Sequence, residues 1–291
     1  MLCAVLELWP VLADYPLGYP AGLGVLGLLV GSFLNVVIHR LPLMMERDWR
    51  RDCADLAGHA ETDSPVVAFN LMVPRSRCPH CQQPIAAWDN LPVLSWLLLA
   101  GRCRHCRASI SVRYPLVELS AAVLGVVAAW HFGANPSALW GAGFSWALLA
   151  LAVIDLDTQL LPDDLTLPLL WAGLVANLLG YFVDLPTAVV GAMAGYLSLW
   201  VVYWGFKFAT GKEGMGYGDF KLLAALGAWL GWQALPTLIE GAALVGAVVG
   251  LALIGLRRHE RSKPLPFGPF LAAAGWINLI WGAPLRQLIG P

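Results

Sequence analysis

Gly211-Lys212-Glu213-Gly214-Met215-Gly216-Tyr217-Gly218-Asp219-Phe220-Lys221 is the stretch that decides how this chain is read. It lies between two apolar runs long enough to cross a bilayer, the second being Leu222 to Ile239. Four glycines in the eight residues 211–218 leave little side chain to pack and give the backbone access to φ > 0. A carboxylate follows at once. At the mouth of a membrane helix a carboxylate is costly unless it has a partner or a task. The plain alternative is a helix cap, since Asp is a good N-cap and glycines often precede helices. A second acidic cluster, Asp155-Leu156-Asp157, closes an earlier apolar run and favours a task.

Working outward, the chain of 291 residues is 58% hydrophobic and 13% charged, with a mean hydropathy of +0.67. A soluble domain carries about 25% charged residues, so the fold class is an all-α polytopic membrane protein. The net charge of −1 gives no indication of nucleic acid as a partner, and any positive patch has to be local. The first 20 residues hold Glu7 and Asp14 but no Lys or Arg. They lack the basic start of a cleavable signal peptide, so the first membrane helix is expected to stay in place.

The apolar runs predict about eight transmembrane helices, at 15–38, 114–132, 132–154, 165–183, 185–206, 222–235, 238–256 and 264–285. Gly27 and Gly31 give the first a small-xxx-small spacing for close helix contact. Pro236 is expected to end the sixth. A polar insert, 40–113, interrupts the series, and its residues 46–64 read as a solvated loop. The expected organisation is 1–39 with the first helix, 40–113 as the insert, and 114–291 as a seven-helix membrane domain. The insert holds 10 of the 18 Lys and Arg residues. With the insert in the cytoplasm, alternation puts 17 of those 18 on that side, leaving only Arg286 opposite. Asp155 and Asp219 then share one membrane face at similar depth.

Within the insert, Cys78-Pro79-His80-Cys81 and Cys103-Arg104-His105-Cys106 form two CxxC knuckles with 21 residues between them. Four thiolates at this spacing suit tetrahedral zinc, although the separation is just beyond the usual range. A cytoplasmic insert is reducing, which argues against disulfides. A closed four-sulfur site leaves no position for water, so the metal is structural. A redox pair is the alternative. His80 and His105 are expected to face solvent, and Cys3 and Cys53 to be bystanders. The apolar segment from Trp88 to Gly101 suits the membrane surface or packing on the helices.

Two carboxylates sharing one site cannot both ionise cheaply, so one keeps its proton. The ionised one can deprotonate a water while the other hydrogen-bonds a scissile carbonyl, the logic of an aspartic protease. The glycines before Asp219 would let a substrate backbone come close. Ion or proton translocation uses membrane carboxylates too. Against that, both clusters lie at helix ends, and there is no strong inverted repeat. A membrane assembly factor with a zinc head is the non-enzyme alternative.

Several motifs occur in a characteristic order. They are Gly31-Ser32-Phe33-Leu34-Asn35-Val36-Val37-Ile38-His39-Arg40-Leu41-Pro42, the paired knuckles, and Arg113-Tyr114-Pro115-Leu116-Val117-Glu118-Leu119. Ile154-Asp155-Leu156-Asp157-Thr158-Gln159-Leu160-Leu161-Pro162-Asp163, the Gly211–Lys221 stretch and Pro266-Phe267-Gly268-Pro269 follow. Together they resemble the bacterial type IV prepilin peptidases, bifunctional leader peptidase/N-methyltransferases of the GxGD aspartic protease class. Thr158 and His39 are small departures. The resemblance runs over nearly the whole chain from about residue 20.

The resemblance implies that Asp155 and Asp219 are catalytic, with Gly216 and Gly218 in the active-site loop. Asp155 is nearer the apolar run than Asp157. Asp157, Asp163 and Asp164 become supporting residues, and Asp164 reads equally well as a helix N-cap. It further implies cleavage of type IV prepilins and type II secretion pseudopilins at the cytoplasmic face of the bacterial inner membrane. The new amino terminus is then methylated with S-adenosyl-L-methionine as donor. No strand–glycine–helix pattern marks a donor site. Gly101 is the candidate for that activity by resemblance, and an ordinary turn glycine otherwise. Glu118 faces either the donor site or a basic partner, Arg113 or Arg40. Asn35 and His39, four apart, share a helix face and bond a neighbouring helix or the substrate.

Overall fold

The computed structural model describes residues 17–58, 69–212, 214–256 and 265–289. The first 16 residues, with Glu7, Asp14 and Cys3, and the basic segment 257–263 lie outside them. The elements in order are α1 (Gly18–Leu56), α2 (Leu94–Leu98), α3 (Arg113–Phe132), α4 (Pro136–Thr158), α5 (Asp163–Leu178), α6 (Leu185–Thr210), α7 (Tyr217–Leu230), α8 (Leu235–Gly255) and α9 (Gly268–Ile289). Each of the eight apolar runs forms one of the longer helices. Five segments among the described residues combine the length and apolarity to cross a membrane: α1, α3, α4, α6 and Trp232–Leu253.

The chain divides into two compact units, residues 1–134 and 135–291. In the first, α1 packs on α3 with almost no side chain between them. A Cβ on Gly27 would lie 2.5 Å from the Ala121 carbonyl oxygen, and one on Gly31 2.6 Å from the Glu118 Cα. The small-xxx-small spacing is therefore an interface requirement. Helix α1 does not stop at the end of its apolar run. It continues through Pro42 to Leu56, so residues 46–56 are helical rather than a loop. The continuation is built from good helix formers and carries Arg50–Glu46 and Arg51–Asp48 pairs at helical spacing. Arg40 at its base donates to the carbonyls of Asn70, Leu71 and Pro74, tying the following loop to the helix.

In the second unit α7 is the central element. From Asp219 to Leu230 every residue but Lys221 is buried. An all-round apolar helix of 14 residues needs protein on every side, and at 1.5 Å per residue it is too short to span a bilayer alone. Its partners come close because glycines face it. A Cβ on Gly191 of α6 would collide with the Gly227 carbonyl, and one on Gly195 would lie 2.6 Å from the Leu223 carbonyl oxygen. Gly173 of α5 makes room for Trp229, whose indole N–H donates to the Leu169 carbonyl at 2.7 Å. Gly275 of α9 receives Leu226. Helix α7 ends at Leu230, earlier than the stop expected at Pro236, because Gly231 turns to φ +80°. Pro236 instead lies in the first turn of α8, where its missing N–H costs nothing.

Candidate active site

The last turn of α4 carries Asp155, and the first turn of α7 carries Asp219. They are buried to 5% and 8% exposure, whereas Asp157 is exposed. Gln159 closes α4 in a left-handed conformation, sending the chain back toward α5. Asp155 Oδ2 accepts the backbone N–H of Gly268, the first residue of α9, at 2.9 Å.

The glycines of the central stretch work by close approach more than by φ. Only Gly211 among those described there has positive φ, +69°, as the C-cap of α6. Gly216 is the N-cap of α7, and its carbonyl accepts the Asp219 N–H at 3.3 Å. Gly218 lies inside the first helical turn, where a Cβ would be 2.7 Å from the Leu161 Cβ. The loop expected before Asp219 therefore ends at Gly216, and Gly218 belongs to the helix. On the same end of this unit, Lys221 Nζ binds both carboxylate oxygens of Asp163 at 2.7 and 2.6 Å. Asp163 opens α5 and Asp164 follows it in the first turn, with Pro162 at the cap position. Asp164 is thus not the N-cap.

The two knuckles repeat one backbone turn. Cys78 N–H bonds the Gln83 carbonyl and Gln82 N–H returns to the Cys78 carbonyl; Cys103, Ala108 and Arg107 do the same. Gln82 and Arg107 occupy matching left-handed positions at φ +58° and +59°. The turns aim amides at the sulfurs. The N–H groups of Cys81 and His80 pull the Cys78 thiol down to about 6, and those of Cys106 and His105 lower Cys103. The Ala108 amide draws Cys106 down too, but burial and the neighbouring thiols outweigh it and hold Cys106 at about 11. All four Sγ atoms lie within 4.8 Å of one another, and Cys78 and Cys106 are 3.8 Å apart. A tetrahedral zinc with bonds of about 2.3 Å requires edges of about 3.8 Å, so the donor set fits that metal. His80 and His105 are exposed and outside the cluster.

Gly101 adopts φ +66° at a tight turn, its carbonyl accepting Ile110 N–H at 2.7 Å. A Cβ there would lie 2.9 Å from the Trp96 ring. That packing is sufficient reason for a glycine. Glu118 is buried and accepts the N–H of Val93 at 2.7 Å, with the Ser32 hydroxyl beside it. Val93 has φ +59°, so Glu118 pins a strained turn at the start of α2. Arg40 bonds carbonyls and Asn35 donates to the Tyr114 carbonyl at 3.1 Å. Sequence reasoning missed the Gly268–Asp155 bond, the role of Leu161 and the Lys221–Asp163 pair. Their residues stood in the quoted motifs, but nothing in a motif says which of its members meet.

Residues 25–132 match the bacterial peptidase A24 N-terminal domain, and residues 142–251 match the type IV leader peptidase family. The prepilin leader peptidase/N-methyltransferase of Aeromonas hydrophila is 60% identical over 255 residues, covering 88% of each chain. Proteins of the same name from Stutzerimonas stutzeri and Pseudomonas aeruginosa are 55% and 54% identical over 275 residues, covering 93% of each chain. No solved structure matches. With such identity over nearly all of its length, the chain belongs to the type IV leader peptidase family.

Proposed function

We propose that this protein removes the leader peptide of type IV prepilins and type II secretion pseudopilins and then N-methylates the exposed amino terminus. The likeness to leader peptidase/N-methyltransferases at 60% identity carries this reading. The burial of Asp155 and Asp219, at helix ends of one unit, supports them as the catalytic pair. In the reaction, the ionised carboxylate takes a proton from water as its oxygen attacks the scissile carbonyl carbon. The protonated carboxylate gives its proton to the carbonyl oxygen. Collapse of the tetrahedral intermediate breaks the C–N bond, and the leaving amine takes a proton from the pair. Gly216, where a Cβ would meet nothing nearer than Asp219 Oδ2 at 3.8 Å, keeps the approach to Asp219 free of side chains, while Gly218 makes room for Leu161.

The insert 40–113 serves the methyl transfer, for which S-adenosyl-L-methionine is the methyl-donating substrate and Gly101 the candidate residue. Cys78, Cys81, Cys103 and Cys106 would hold zinc as a structural staple. The segment 1–39 anchors the insert, and 114–291 carries the peptidase site. We place the active site at the cytoplasmic face of a multi-pass inner-membrane protein, where a basic leader is retained by the charge rule.

The test is cleavage of a prepilin in detergent by wild type, Asp155→Asn and Asp219→Asn, followed by mass spectrometry. Wild type is expected to release the leader, and both variants to lose at least about a thousandfold in rate. With S-adenosyl-L-methionine, the wild-type product gains one methyl group. Equal cleavage by all three would place the catalytic groups elsewhere, and no cleavage by folded wild type would overturn the reading.

A further inference from the structure

Helix α9 begins at Gly268, within Pro266-Phe267-Gly268-Pro269, and the amides of its first turn are divided unequally. A helix start leaves its first amides without intrahelical partners. Here Phe270 N–H and Leu271 N–H both turn back to the Phe267 carbonyl, at 3.1 and 3.2 Å. Pro269 has no N–H to offer. The Gly268 amide is left, and it points at Asp155 Oδ2 across 2.9 Å in a buried setting. The positive end of the α9 dipole lies on the same carboxylate.

The residue at 268 has to be glycine for this contact. A Cβ there would lie 2.6 Å from Asp155 Oδ2, 3.2 Å from its Cγ and 3.1 Å from Leu161 Cδ2. Leu161 also fills the space beside Gly218, the residue preceding Asp219. One leucine therefore lies against two bare stretches of backbone, one bonding the first carboxylate and one leading into the second.

We propose that Gly268 is a positioning residue of the peptidase reaction, its single outward amide fixing Asp155 by Oδ2 so that Oδ1 is left to address the attacking water. This rests on the leader-peptidase reading. Oriented donors to a buried carboxylate are strong, because the bond is charge-assisted and water does not compete for it. The amide acts through Asp155 and does not itself meet the substrate, so its loss lowers kcat and spares KM.

Prepilin cleavage in detergent would be followed for four proteins beside Asp155→Asn: wild type, Gly268→Ala, Gly268→Ala/Leu161→Ala, and a protein carrying glycolic acid at 268. The last replaces the Phe267–Gly268 amide by an ester, deleting the N–H without adding a Cβ. Gly268→Ala is expected to lower kcat at least about tenfold with KM within about threefold. The added Leu161→Ala relieves only the leucine side of the crowding and should not restore it. The ester should lower kcat by about tenfold on its own. Should Gly268→Ala fail to fold, the ester protein decides the matter. An unchanged kcat in the ester protein, or full recovery in the double variant, would overturn the positioning role while leaving the peptidase reading intact. A fully active Asp155→Asn would overturn that reading, and the positioning role with it.

Discussion

In the two CxxC knuckles the leading cysteine takes its surroundings from residues within five positions of itself: Cys78 from His80, Cys81, Gln82 and Gln83, and Cys103 from His105, Cys106, Arg107 and Ala108. At the carboxylates the partners come from across the chain. Gly268 is 113 positions from Asp155, and Asp163 is 58 from Lys221. The first region is a local turn written twice, whose four sulfurs lie within 4.8 Å of one another. The second exists only once four helices have packed. Local chemistry tolerates changes elsewhere in the protein, whereas an assembled site inherits the precision of every helix contact behind it.

Breaking the local region should therefore leave the assembled one working. Cys103→Ser is expected to abolish stoichiometric zinc and to lower methyl transfer at least about tenfold, because structural zinc supplies much of the folding energy of a small module. Leader cleavage should stay within about threefold of wild type. Zinc analysis and separate cleavage and methylation assays check this, and normal methylation would sink the assignment of the insert. Stripping the metal with a chelator should reproduce the same split.

The converse perturbation lies on the far side of α7. A Cβ at Gly227 would collide with the Gly191 carbonyl, so Gly227→Val forces α6 and α7 apart. The expected cost is about 3 kcal/mol, seen as a lower unfolding midpoint in detergent, with impaired cleavage although the residue is two helical turns beyond Asp219. Gly143→Ala, at a position with open space, should stay within about 1 kcal/mol. Similar behaviour of the two variants would show that the close α6–α7 approach does not govern the site.

The smallest effect belongs to the ion pair. Lys221 and Asp163 are 30% and 52% exposed, so solvent screens them despite the bidentate geometry. Lys221→Met should cost about 1 kcal/mol or less in stability and lower cleavage by a few-fold. A charge-swapped Lys221→Asp/Asp163→Lys protein should recover part of the loss if the pair tethers α5 to α7. Absence of recovery would confine Lys221 to a role apart from Asp163.

Read from the chain alone, the class of the protein, its eight apolar runs, the four cysteines that cluster and the two candidate aspartates were accessible. Each rests on a short-range signal: a long apolar run, a CxxC turn, or a carboxylate beside glycines. The extension of α1 to Leu56 was missed because the apolar pattern stops at Ile38 while helix propensity continues without it. The stop of α7 was placed at the proline, although Gly231 acts first.

The tertiary structure alone decided which of these pieces meet. Pro266-Phe267-Gly268-Pro269 is visible as a motif, but that its one outward amide reaches Asp155 follows only from the packing of α9 against α4. The same holds for Leu161 between Gly218 and Gly268, and for Gly191 against Gly227. Close approach between helices is a property of pairs of surfaces. A sequence records where side chains are missing, and the folded protein shows what fills the space.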